Sequence, residues 1–156
     1  MKSYSELVDE CRADVDELFP WDLIEELQQG KDFFLLDVRE ADEFEAMHMA
    51  GSLNVPRGIL ESATEWNHED TVPELVQARE RNIVVICRSG NRSLLAARSL
   101  KSMGFKHAVS LRTGIRGWND YEQPLVDIKG RQKTLDEADD YFTPKLDKEQ
   151  LAPNRR

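Results

Sequence analysis

Residues 82–87, NIVVIC, run without a polar interruption from Ile83 to a cysteine, Cys87, and Ile83, Val84, Val85 and Ile86 are all β-branched. A strand that is apolar at consecutive positions has no face to show to water, so it has to be covered on both sides. That is the position of a central strand in a parallel sheet. After RSGN the pattern changes to NRSLLAARSLKSM, rich in helix formers and stopped by Gly104. A buried strand feeding directly into a helix restricts the chain to α/β architectures.

The other segments repeat this alternation. DFFLLDV reads as a second buried strand ending near Asp37, EADEFEAMHM as an acidic helix, SLNVP as a short strand closed by Pro56, and HAVSL as another strand leading into TGIRGWNDY. Trp21 to Gln29 reads as a short helix stopped by Gly30, and Pro73 suits the first position of another. Ahead of these, Tyr4, Leu7, Val8, Cys11, Val15 and Leu18 recur at three or four residues, the stripe of one amphipathic helix. Cys11 on that stripe reads as a small buried hydrophobe. After Pro124 the chain becomes charged, with Leu135, Tyr141, Phe142 and Leu146 as its few apolar anchors, so it is expected to be disordered or draped over the domain. The expected organisation is a helical appendage over 1–19, one α/β domain over 20–126 and a charged tail over 127–156. The mainly parallel sheet should have helices on both faces.

Cys87 stands where a parallel sheet binds ligands, at the carboxyl end of its most central strand. Backbone N–H groups at the start of the following helix face such a position, and Arg88 and Arg92 add permanent charge, a setting that favours thiolate over thiol. Between Arg79 and Arg116 there are nine Lys or Arg and one acid, Glu80, in a chain whose net charge is -9. An anion-attracting island therefore surrounds one cysteine in an acidic protein. Taken singly, a strand-end cysteine is usually core and helix arginines are usually a solvated face. Their conjunction points to a nucleophile.

Other chemistries fit less well. The acidic balance argues against nucleic acid, the longest apolar runs are too short to span a bilayer, and the start of the chain has no apolar leader, so a cytoplasmic location is expected. There is no C-x-x-C, and His48, His68 and His107 fall in three separate elements, so neither a metal nor a cofactor is expected. CRSGNRS lacks the lysine and the length of a nucleotide-binding loop.

These motifs together resemble the rhodanese-like sulfurtransferases. LLDVREADEFEAMHMAGSLNVP is similar to that family's first signature, IVVICRSGNRSLLAA to its active-site loop, and LRTGIRGWNDYEQPL to its closing Gly-x-x-x-Trp element. The resemblance implies a rhodanese fold with a five-stranded sheet, and Cys87 as the carrier of a persulfide sulfur. It makes Arg88, Ser89, Gly90, Asn91, Arg92 and Ser93 the cradle for sulfur or an anionic donor, Asp37 and Arg39 structural supports, and Trp118 an aromatic near the site entrance. The implied partners are a small anionic donor such as thiosulfate or a related persulfide, and a cyanide, thiol or protein-thiol acceptor. Met47 departs from the usual glycine before His48, and Ala50 from the usual proline. Two rivals are carried: a cysteine phosphatase or arsenate reductase, which resembles a Cys-x5-Arg loop where this chain has Ser93 at the sixth place, and a non-catalytic adaptor or sulfur-relay module.

Overall fold

A computed structural model describes all residues from Met1 to Arg156. Five strands, β1 (Glu17–Leu18), β2 (Phe34–Asp37), β3 (Leu53–Asn54), β4 (Ile83–Ile86) and β5 (Ala108–Leu111), form one sheet in the order β1-β5-β4-β2-β3. Every pairing is parallel, with β4 between β2 and β5. Its side chains alternate between two cores. Ile83 and Val85 join Leu94, Leu100 and Phe105 on one face, and Val84 and Ile86 join Leu23, Ile115, Trp118 and Phe142 on the other. All four β4 side chains are fully buried, which is why the run contains no polar residue.

The helices are α1 (Tyr4–Cys11), α2 (Pro20–Gln28), α3 (Ala41–Ala46), α4 (Leu60–Ala63), α5 (Pro73–Val76), α6 (Asn91–Ser102), α7 (Gly114–Asp120) and α8 (Leu135–Phe142). None is long and apolar enough to cross a membrane. The N-terminal stripe does not continue as one helix to Leu18. The chain turns after Cys11, and Glu17–Leu18 pairs with Ser110–Leu111 instead. That pairing gives the edge of β5 hydrogen bonds from Ser110 N to Asp16 O and from Arg112 N to Leu18 O, at 3.0 and 2.8 Å. α1 itself packs on α6, and its Val8 and Cys11 lie in the core with Val15. The acidic helix α3 also ends early, at Ala46. His48 then pairs with Val126, which holds Met47 and Met49 inside the second core.

Past residue 126 the chain drapes rather than frays. Thr134 caps α8 by accepting from Glu137 N–H, and the Glu137 carboxylate accepts from Thr134 N–H in return. Ala138 and Phe142, four residues apart, bury one face of α8 on the second core, and Asn119 of α7 donates to Asp139 at 2.7 Å.

Candidate active site

Cys87 follows β4 directly, and its side chain is 1 % exposed. The chain can turn into α6 because Gly90 adopts a φ of +92°, a conformation that side-chain-bearing residues resist. The turn brings Gly90 N–H to within 3.1 Å of Cys87 Sγ, as a donor to it. On its inner side the sulfur lies 3.2 Å from Ser93 Oγ, and Ser93 Oγ lies 2.7 Å from Ser110 Oγ on β5. Both serines are fully buried. One backbone donor and one hydroxyl thus converge on a single sulfur atom.

A second glycine clamps the loop from above. At Gly114, where φ is +63°, an added Cβ would stand 2.4 Å from Arg88 O and 2.5 Å from Cys87 O. The contact is close because the first turn of α7 donates to the loop, from Ile115 N to Cys87 O at 2.9 Å and from Arg116 N to Arg88 O at 3.0 Å. Gly114→Ala is expected to push the loop off these donors, destabilising the fold by about 1–3 kcal/mol and lowering the reactivity of Cys87. Thermal unfolding and the rate of thiol labelling with iodoacetamide both report it, and wild-type values in both would show that the loop moves freely there.

The two loop arginines, expected to act together, have different fates. Arg92 forms a two-pronged pair with Glu43 of α3 at 2.8 and 2.9 Å, so its charge is matched within the protein. Burial works against ionising Glu43, but the hydrogen bonds and charge of Arg92, with the Glu40 N–H, outweigh it and hold the carboxyl below its ordinary range. The Glu43 hydrogen bonds in turn raise Arg92, with the field of Cys87 adding to them. Arg88 has no carboxylate partner and gives its Nη2–H to the Phe142 carbonyl at the end of α8, at 2.8 Å. Ser89 is exposed at the loop tip and Asn91 is half-buried at the start of α6, and neither side chain makes a hydrogen bond.

Asp37 and Arg39 lie below the site as a fully buried pair, with Nη2 to Oδ2 at 2.8 Å and Nε reaching both carboxylate oxygens. Arg39 also donates to Met47 O at 2.8 Å, which ties the end of β2 to the end of α3, while its buried Nη1 has no partner. Trp118 belongs to α7. It is 6 % exposed within the second core and donates to Pro124 O at 3.2 Å, so it fastens α7 to the segment after it.

Glu43, Ser110, Tyr141 and Phe142 were not singled out from the sequence as site residues. The capping box T-L-D-E and the Ala138–Phe142 spacing carried a signal for α8. Nothing local marks Glu43 or Ser110, whose partners are 49 and 17 residues away.

The family model for the rhodanese-like domain matches residues 20–121. A candidate sulfur carrier protein of Bacillus subtilis, YrkF, is 39 % identical over 85 residues, which are 54 % of this chain and 40 % of that one. The adenylyltransferase–sulfurtransferases that also match are longer still, and the aligned part is 25 % of their length. Among solved structures, a Rhodopseudomonas palustris protein of unknown function, described as a possible tyrosine phosphatase, superposes with a TM-score of 0.71 at 26 % identity, covering 80 % of this chain and 94 % of its own. The human single-domain sulfurtransferase TSTD1 superposes at 0.58 and 28 % identity, covering 68 % and 96 %. The parallel sheet, the cysteine loop at its carboxyl edge and the match over residues 20–121 together place this chain in the rhodanese-like domain family.

Proposed function

We propose that the protein is a sulfurtransferase that accepts a sulfane sulfur from thiosulfate or a related persulfide donor on Cys87 and passes it to a thiol or cyanide. One observation carries the reading: Gly90 N and Ser93 Oγ converge on Cys87 Sγ at 3.1 and 3.2 Å, so the site is built around a sulfur atom. In the first step the Cys87 thiolate attacks the outer sulfur of thiosulfate. The new S–S bond forms as the old one breaks, and sulfite leaves with the electron pair. In the second step an acceptor thiolate attacks the outer sulfur of the persulfide, and Cys87 leaves as thiolate. No general base is needed, because each step begins with a thiolate, and no general acid, because sulfite and the Cys87 thiolate are both competent leaving groups. Ser93 O–H and Gly90 N–H stabilise the charge that returns to Sγ in the second step.

The phosphatase reading requires an arginine free to close around a tetrahedral oxyanion. Arg92 is the loop's nearest equivalent, and its guanidinium is taken up by Glu43. Incubating the chain with thiosulfate, and separately with an aryl phosphate, tests the assignment. Expected are sulfite release, one added sulfur removable by cyanide in the intact mass, and negligible phosphate release. Aryl phosphate turnover without persulfide would overturn it, and sulfur uptake that no acceptor can discharge would favour the relay-module reading.

A further inference from the structure

Beside Arg88 lies an open cavity of about 310 Å³ lined by Glu43, Arg88, Tyr141, Thr143 and Lys145. Three of these five residues come from the end of α8 and the turn after it, beyond the 20–121 match. We propose that this cavity seats the carboxylate of a small anionic thiol, the sulfur acceptor, and that Tyr141 and Lys145 are specificity residues supplied by the C-terminal segment.

The argument begins with charge. Glu43 is paired with Arg92, which offsets part of its charge. Arg88 is half-buried, and its recorded partner, the Phe142 carbonyl, leaves its positive charge unmatched. Lys145 contacts only Asp140, at 3.7 Å and with both side chains at least 70 % exposed, a pairing too weak to hold it from a ligand. Two available cations therefore face one small polar space. Burial keeps Tyr141 protonated, the nearby Glu43 and Asp42 adding to this and Arg39 and Arg88 opposing it, so its hydroxyl is available as a donor. Tyr141 is also the sole large apolar surface in the lining, which fits a small ligand better than a protein face. Arg88 directly follows Cys87 in the chain, so the proposed carboxylate anchor is one residue from the sulfur carrier, whose outer persulfide sulfur reaches about 2 Å beyond Sγ. Its thiolate takes that outer sulfur and leaves as a persulfide, and Cys87 departs as thiolate.

The proposal rests on the sulfurtransferase reading, and its test separates the two. The chain is loaded with thiosulfate and discharged with mercaptosuccinate or with 2-mercaptoethanol, following loss of the added sulfur by intact mass. Lys145→Glu should lower the ratio of the two discharge rates roughly tenfold, and Tyr141→Phe should lower it less. Lys129→Glu, the same charge change on a turn away from the cavity, should leave the ratio as in wild type. Succinate, which carries no sulfur, should shift amide resonances of residues 141–145 in wild type, with weaker binding in Lys145→Glu. If the wild-type chain gains no sulfur, the transferase reading fails and the succinate titration alone decides the subsite. An unchanged rate ratio in Lys145→Glu, or succinate binding indifferent to that substitution, overturns the subsite.

Discussion

In Cys87→Ser, thiosulfate should leave no added sulfur on the chain and turnover should fall to background, whereas Cys11→Ser should still take up one atom per chain. The two thiols are almost equally buried, at 1 % and 0 %, so exposure alone does not distinguish them. Their partners do. Cys87 is met by a backbone N–H and a hydroxyl at the carboxyl edge of the sheet. Cys11 is packed among core side chains, and its thiol donates weakly to Leu7 O at 3.5 Å, as an ordinary helix cysteine does. Serine keeps the size of the Cys87 side chain but is a poor nucleophile toward sulfur, so the fold should survive and transfer should not. Loss of nucleophile chemistry of this kind costs on the order of a thousandfold or more. Sulfur retained by Cys87→Ser and lost from Cys11→Ser, read by intact mass before and after cyanide treatment, would reverse the assignment.

Asp37→Ala should have the largest effect on stability, a loss of about 3–5 kcal/mol in urea unfolding. The carboxylate and the Arg39 guanidinium are 1 % and 0 % exposed, and three hydrogen bonds join the two side chains. Removing the acid leaves a charged guanidinium in the interior with Met47 O as its remaining side-chain partner. Asp37 also accepts from Arg39 N–H at 3.0 Å, so the turn after β2 loses that bond as well, while the Asn54 amide still donates to the backbone carbonyls of Asp37 and Arg39. Replacing both charges together, as Asp37→Leu with Arg39→Met, should cost much less than Asp37→Ala alone, because no unpaired charge remains. A loss below about 1 kcal/mol for Asp37→Ala would mean that water reaches Arg39.

The elements whose meaning is local were legible in the sequence. The apolar run Ile83–Ile86 and the glycine turn before Asn91 located the central strand and the loop that carries Cys87, because burial on both faces and a positive φ each demand particular residue types. What was hidden depends on partners far along the chain. The stripe through Val15 and Leu18 looked helical because Val15 is buried and Leu18 partly so, yet the chain leaves the helix after Cys11 and Glu17–Leu18 pairs with β5. The arginines beside Cys87 looked equivalent, and an acid on α3 separates them. The C-terminal segment read equally as disordered or as draped over the domain, and Phe142 and a capping box drape it where it meets Arg88.

The serine pair beneath the sulfur has a further consequence for proton order. Ser110 Oγ has Ser93 as its hydrogen-bond partner, and Ser93 stands between it and Cys87 Sγ. When the sulfur carries no proton, Ser110 donates to Ser93 and Ser93 to the sulfur, so both hydroxyl protons are used. When an S–H donates inward, Ser93 Oγ either accepts from Ser110 as well or turns its own proton to Ser110, and in both arrangements one hydroxyl proton is left without an acceptor in this file. The persulfide, whose inner sulfur has no proton, keeps the file pointing toward Cys87. The protonation of the sulfur thus bears on the direction of a hydrogen bond between two buried hydroxyls, one of them on β5.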